Sequence, residues 1–397
     1  MHEGAHGFGP PCRALGANCY EGTPVVSDEL DFAALDAAVH DVHRAGMPGI
    51  FAEVRDGERV WRGAAGVADL DTGRPVTADL RHRVGSVTKT FTAAAVLRQA
   101  ERGRIDLDAP IARYLPKLVP GERGDAITVR MLINHTSGLA EYLPYAYPSL
   151  AGMPAVAGTS PKSLDDHRHT RFAIADLIGM GVAAPATGEP GGPLGLYSNT
   201  NYLLLGELLA LETGMTPEEC ITRDVVEPAG LRDTGFPTGE HVEGPHSRLY
   251  EAWFGMIDPP RDYSVFEMSW TGVAASLIST VGDLNRFFRL LLTGEIVSRP
   301  SLEQMQRTVR IVSQEGHPMD YGLGLYPTES PGRPARWGHG GTVWGGGTLA
   351  MSSSDGRRQL SLATNLQRWN ALSPQGTPEP HPIDEALAAF TEKALYG

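Results

Sequence analysis

The chain has 397 residues, 41% of them hydrophobic and 20% charged, and 47 Asp and Glu against 34 Lys and Arg give a formal net charge of −13. At roughly 150 residues per domain this length asks for two lobes or one large domain, and the negative field argues against nucleic acid as a partner. No apolar run reaches about 18 residues, so a transmembrane helix, and with it a membrane partner, is not expected.

Residues 1–27 read as a flexible arm in which Gly, His and Pro interrupt every apolar run, so no secretory signal is predicted and the protein reads as cytoplasmic. Cys12 and Cys19 lie in that arm with His2 and His6, as incidental thiols or as a metal or redox pair. With Cys220 standing alone, three cysteines give no disulfide framework. Residues 27–44 predict a helix capped by Ser27, with Leu30, Phe32, Leu35 and Val39 on one face. Residues 49–55 and 59–64 flank Asp56-Gly57 as a hairpin, and residues 86–99 form the next helix, ended by Gly103.

From 106 to 271 the chain turns helical and loop-rich, with helices near 128–132 and 199–212. Its Pro-, Gly- and Ser-rich stretch at 142–171 reads as an active-site lid or an insertion. Beyond it come a capped amphipathic helix at 280–292, a second hairpin about Asp355-Gly356, and a closing helix at 382–395. The class is α+β: an antiparallel sheet flanked by terminal helices, built from 28–105 and 272–397, with 106–271 as a mainly helical second lobe. A site belongs in the groove between them.

Three short patterns carry chemistry. In Ser86-Val87-Thr88-Lys89 a helical spacing of three puts Lys89 one turn above Ser86. A serine hydroxyl needs a base, and burial beside a second cation would free Lys89 to be one. The bland alternative makes Ser86 a plain N-cap. Tyr197-Ser198-Asn199 opens a helix; a nearby lysine charge would lower the tyrosine pKa and let it relay protons, while Asn199 binds an amide, or the tyrosine is merely packed. Trp337-Gly338-His339-Gly340-Gly341-Thr342 offers a strand edge that a ligand can approach closely, or a glycine-rich turn with an exposed histidine.

The order of these patterns resembles the serine β-lactamase and penicillin-binding-protein superfamily, above all class C β-lactamases and serine DD-carboxypeptidases. The likeness runs from about Asp28 to Tyr396 and includes Ile133-Asn134-His135-Thr136-Ser137-Gly138-Leu139, Ser269-Trp270 and Tyr321-Gly322-Leu323-Gly324-Leu325. It implies an acylated Ser86, Lys89 as its activator, and Tyr197 as general base and acid. It also implies an oxyanion hole from the N–H groups of Ser86 and Thr342, Asn199 and Trp270 as substrate contacts, and a structural His135. His339, standing where many relatives carry a Lys, completes the implied catalytic set, with Gly340, Gly341 and Tyr326 among the implied substrate contacts.

Two departures bear on substrate. Where carboxypeptidase relatives have a Thr that binds a terminal carboxylate, this chain has Gly340, followed by Gly341; where an Arg follows Gly-Leu-Gly-Leu, it has Tyr326. A phenol does not replace an Arg–carboxylate pair, and Arg333 or Arg336 would have to reach in. A neutral ester or amide donor is therefore expected, with the acyl group released to water or to an amine acceptor, as in amide-forming secondary metabolism. Tyr142, Tyr145 and Tyr147 of the lid would line an acceptor site or face solvent. The alternatives are a DD-carboxypeptidase or β-lactamase, an inactive ligand-binding module, and a metalloenzyme built on His167 and His169. No cofactor and no metal are expected.

Overall fold

The computed structural model describes residues 30–152, 158–328, 332–367 and 379–397. Ser27, the N-terminal arm and its Cys12 and Cys19 lie outside them. The first helix, α1 (Phe32–Arg44), starts later than the sequence suggested: Asp31 is its N-cap, accepting the Ala34 N–H at 3.0 Å. The hairpin follows as β1 (Gly49–Asp56) and β2 (Arg59–Gly66). After a 3₁₀ turn at Gly85–Val87 comes α2 (Thr88–Glu101). In the middle block the short strand β3 (Gly195–Leu196) runs into α3 (Asn199–Thr213), which ends on Gly214 in the left-handed region.

The chain then forms α4 (Val281–Leu292), capped by Thr280, and a hairpin that the sequence reading missed, β4 (Val309–Val312) and β5 (Pro318–Tyr321). Strands β6 (Tyr326–Pro327), β7 (Arg336–Val343), β8 (Gly346–Ser353) and β9 (Arg358–Thr364) precede the last helix, α5 (Pro382–Tyr396). One six-stranded antiparallel sheet has the order β6-β7-β8-β9-β1-β2, so strands from both ends of the chain pair in its middle.

Each face of the sheet is covered for a reason visible in the residues. Ile50 and Val54 of β1 and Leu360 of β9 join Val39 and Val42 of α1 and Phe390 of α5 in one apolar cluster. On the opposite face α4 crosses the sheet, where Asn285 donates to the Glu53 carbonyl at 2.9 Å. The largest cluster runs from α4 through α2 into the helical block, with the Phe91 and Phe287 rings stacked at 3.7 Å. From Thr88 to Leu97 every residue of α2 is buried, as befits a helix enclosed on all sides. It carries the Ser86 turn into the middle of the molecule.

The stretch at 142–171 is not a bare loop in its described residues: it holds short helices at Leu143–Ala146, Pro148–Leu150 and Lys162–Asp166. Two of its three tyrosines contradict the solvent-facing reading. Tyr142 and Tyr147 are fully buried; only Tyr145 is half exposed. The Tyr142 hydroxyl donates to the Trp270 carbonyl, and Tyr147 packs edge-on against Trp270 and Trp344. His167 packs on Tyr147, while His169 meets Glu240 at 2.7 Å, so the two histidines serve separate contacts.

Candidate active site

Ser86 stands on the 3₁₀ turn rather than at a helix N-cap. Gly85, at φ +56°, supplies the left-handed residue that the turn requires, and Thr88 Oγ1 closes it on the Gly85 carbonyl at 2.7 Å. Behind the turn, Val84 N–H bonds the Leu277 carbonyl at 2.9 Å. In front of it lies β7, whose only described neighbour on that side, β6, pairs with Trp337 and Gly338. His339 to Val343 are thus a strand edge facing Ser86, not a loose turn. A Cβ on Gly341 would stand 2.9 Å from Ser86 N, and one on Gly85 2.5 Å from Thr342 N. The two proposed oxyanion donors, Ser86 and Thr342, are brought together by that glycine contact.

Lys89 Nζ donates to Ser86 Oγ at 3.0 Å, to Asn199 Oδ1 at 2.6 Å and to the Ala274 carbonyl at 3.1 Å. Three donors meet three acceptors, and the ammonium also faces the Tyr197 and Tyr202 rings at 4.9 and 5.4 Å. Burial brings its pKa down to about 7, against the opposing pull of Glu141. The expected second cation is not what lowers it; the charged neighbour is an acid.

Tyr197 differs from its expected state. Burial raises its pKa well above 10, and the Ser86 side chain beside it acts the other way. The Lys89 ammonium lies over the ring face, so it does not make the phenol a standing base. His135, at φ +63° and fully buried, stacks on the Tyr197 ring at 4.2 Å and accepts the Ser198 N–H through Nδ1 at 3.2 Å. It fixes the tyrosine's orientation. His339 is buried too, bonded to the Tyr321 hydroxyl at 2.9 Å through Nε2, with its pKa pushed down to about 3 by burial and then by Lys89. So held, it is a neutral imidazole.

A sequence profile of the β-lactamase family matches residues 34–379. The chain belongs to that family. It is 32% identical to esterase EstB of Burkholderia gladioli over 213 residues, 52% of this chain and 51% of the esterase. It is 27% identical to a D-aminopeptidase of Cereibacter sphaeroides over 355 residues, 85% of this chain and 60% of that one. Among solved structures, a D-stereospecific amidohydrolase from Streptomyces sp. shares 33% identity and superposes with a TM-score of 0.75 over 90% of this chain and 98% of its own. The match thus spans about half of the esterase and 60% of the D-aminopeptidase. No described helix is long and apolar enough to cross a membrane.

Against the family pattern, the two departures turn out to be linked. The Tyr326 hydroxyl accepts the Gly340 N–H at 2.8 Å and lies 2.9 Å from where a Cβ on Gly340 would stand. Neither arginine reaches the site. Arg336 donates to the Leu395 carbonyl and covers the Tyr396 ring, and Arg333 donates to the Tyr396 carbonyl.

Two cavities meet at Ser86. One, of about 480 Å³, runs past His339, Gly340 and Tyr326 along the sheet. The other, of about 200 Å³, is mostly apolar and bounded by Trp270, Trp344 and Leu150, with the two indoles stacked at 5.1 Å. The β4–β5 turn contributes Ser313 and Gln314 to both. Trp344, that turn and Glu141 are site residues that the sequence reading did not assign. Glu141 follows the 133–139 motif by two residues, and the β4–β5 turn announces itself only as a Gly between two short apolar runs.

Proposed function

We propose that the protein is a serine acyl-transfer enzyme acting on neutral ester or amide donors. The observation that carries this reading is the Lys89–Ser86 contact at 3.0 Å, with the lysine pKa drawn to about 7. In its neutral form Lys89 accepts the Ser86 proton as Oγ bonds to the donor carbonyl carbon. Charge builds on the carbonyl oxygen between the N–H groups of Ser86 and Thr342. As the bond to the leaving alcohol or amine breaks, the proton returns to it from Lys89 through the Tyr197 phenol. Water or an amine then attacks the acyl-Ser86, giving up its proton by the same route, and free Ser86 is regenerated.

A neutral donor is supported by what surrounds Ser86: no Arg or Lys is among the described residues lining either cavity. The names of the relatives, an esterase, a D-aminopeptidase and an amidohydrolase, support ester or amide bonds of amino-acid-like donors. On the sequence reading alone the proposal extends to a cytoplasmic transacylase of secondary metabolism.

The test is intact-protein mass spectrometry with p-nitrophenyl esters, an amino-acid methyl ester, a D-Ala-D-Ala peptide and a penicillin, each with and without an added amine. The expected result is a Ser86 adduct from neutral esters, absent in Ser86→Ala, that the amine discharges as an amide. An adduct from the carboxylate-bearing peptide alone, cleared only by water, would return the protein to the carboxypeptidases. No adduct from any donor is the result expected of an inactive binding module.

A further inference from the structure

The larger of the two cavities extends well past the reacting atoms. It begins at Ser86 and Tyr197 and continues across one face of the sheet to the first half of α5. Gly340 of β7 lies opposite Leu349 of β8, and Leu349 opposite Leu362 of β9, so these three form one row on that face. A second row, Thr342, Gly347 and Thr364, runs beside it. All six residues line the cavity. The two glycines keep its floor low. A Cβ on Gly340 would come within 3.9 Å of Leu349 Cδ1, and one on Gly347 within 2.9 Å of Thr364 Oγ1.

The two ends of this cavity differ in chemistry. Beside Ser86 its lining is polar, with Tyr197, His339 and Thr342; at the far end Met47, Leu362, Leu366, Ile383 and Leu387 make it apolar. Ile383, Leu387 and Thr391 are four residues apart on α5 and form a single stripe of that helix along the cavity. Met47, Leu362 and Ile383 are buried in the cluster that joins α1 and α5 to the sheet. Water in such a space finds few polar partners, whereas a hydrocarbon gains by leaving bulk water for it. The only charged side chains among the described lining residues, Glu315 and Asp384, are both acids, which disfavours an anionic end on any tail lodged there.

Asn199 and Trp270, the expected substrate contacts, border the small cavity and not the larger one, which gives the small cavity to the acyl side of the donor. The other side of the scissile bond then points into the larger cavity. We propose that the larger cavity is a subsite for an unbranched hydrocarbon tail on the leaving alcohol or amine, with its oxygen or nitrogen at Ser86 and the tail running over Gly340, Leu349 and Leu362 to α5. The inference rests on the acyl-Ser86 reading and names the leaving group within it: alkyl esters and N-alkyl amides whose tail has no charge at its end. From β7 to β9 are two strand spacings, roughly 10 Å, which is the reach of an octyl chain.

The experiment measures kcat/KM for propyl, hexyl, octyl and decyl acetate, all below their aggregation limits, so that the acyl group is constant and only the leaving tail grows. The values should rise about two- to fourfold for each methylene as far as octyl and level off at decyl. Octyl acetate should exceed its isomer methyl nonanoate, which carries the tail on the acyl side. It should also exceed the acetate ester of hydroxyoctanoate, whose tail ends in a carboxylate. In Leu387→Trp, where an indole from α5 fills the far end, the rise should stop at a shorter chain; ratios within one protein are insensitive to the fraction that folds. A series without chain-length dependence overturns the inference, and so does a rise that continues at the same slope to decyl. Methyl nonanoate matching octyl acetate overturns it too, as does a series that Leu387→Trp leaves unchanged. Any of these results with Ser86 acetylated leaves the acyl-enzyme reading standing; no acetyl-Ser86 adduct from any ester removes that reading and this inference with it.

Discussion

Tyr326 Oη occupies the space a side chain on Gly340 would fill, and it takes the Gly340 N–H as acceptor. The pair should therefore behave as one unit under mutation. Gly340→Thr alone should lower kcat/KM for a neutral ester, and adding Tyr326→Phe, which removes the opposing oxygen, should recover part of the loss. Residues in contact couple by about 0.5–3 kcal/mol in such cycles; additive effects would show that the contact is incidental. The sequence displayed these as two separate absences, a lost Thr and a lost Arg, because 14 residues separate them and only the β6–β7 pairing joins them. Ser86 and Lys89 were legible because one helical turn relates them. Glu141 was not: its partner at Asn199 lies 58 residues away, across a fold that no local spacing encodes. The electrostatics misled for the same reason, since the sign of Lys89's neighbour depends on which segments meet there.

At the scale of elements, the site is a contact between the 3₁₀ turn and the β7 edge. A Cβ on Gly341 would stand 1.9 Å from the Val84 carbonyl oxygen, a backbone atom that cannot swing aside. Gly341→Ala must push β7 away from the turn and pull Thr342 N from its place beside Ser86. We expect its acylation rate by a neutral ester to fall about 10²–10³-fold, the cost of losing an oxyanion donor. The melting temperature should change less than that loss implies. Near-normal acylation in stopped-flow measurements would mean the Thr342 N–H is not part of the hole. Long elements with strong periodicity, such as α4 and the two Asp-Gly hairpins, could be read directly. The β4–β5 hairpin escaped because its strands are four residues each, too short for alternation to stand out. The buried tyrosines of 142–147 escaped because a Pro-rich loop gives no period from which to infer an inside.

For the whole molecule, buried neutral histidines set the response to acid. Burial pushes His82 and His339 down to about 3 and His135 well below 6.5. Below pH 6.5 the unfolded chain binds protons there that the folded protein does not. Stability is therefore full above about pH 6.5 and is lost as pH falls from there toward 3. The ionised Glu53, held below its ordinary range by Arg55, Asn285 and Arg62 against its burial, acts in the same direction. Urea midpoints should drop steadily between pH 7 and 4. The drop should be smaller in His82→Phe, which keeps a ring edge-on to Phe51; a flat midpoint over this range would contradict the assignment.

The pairing of β1 with β9 has a consequence for how the protein is made. Ile50 lies opposite Thr364, so one edge of β1 waits through some three hundred residues of translation before its partner strand exists. Over that interval β1 and β2 can form only a two-stranded ribbon, which is marginal in water, and the open edge is a place for wrong pairings. The helical middle, whose contacts are closer in sequence, is free to consolidate first. The Ser86 turn, emerging early, acquires the β7 wall it needs only when the last quarter of the chain has left the ribosome.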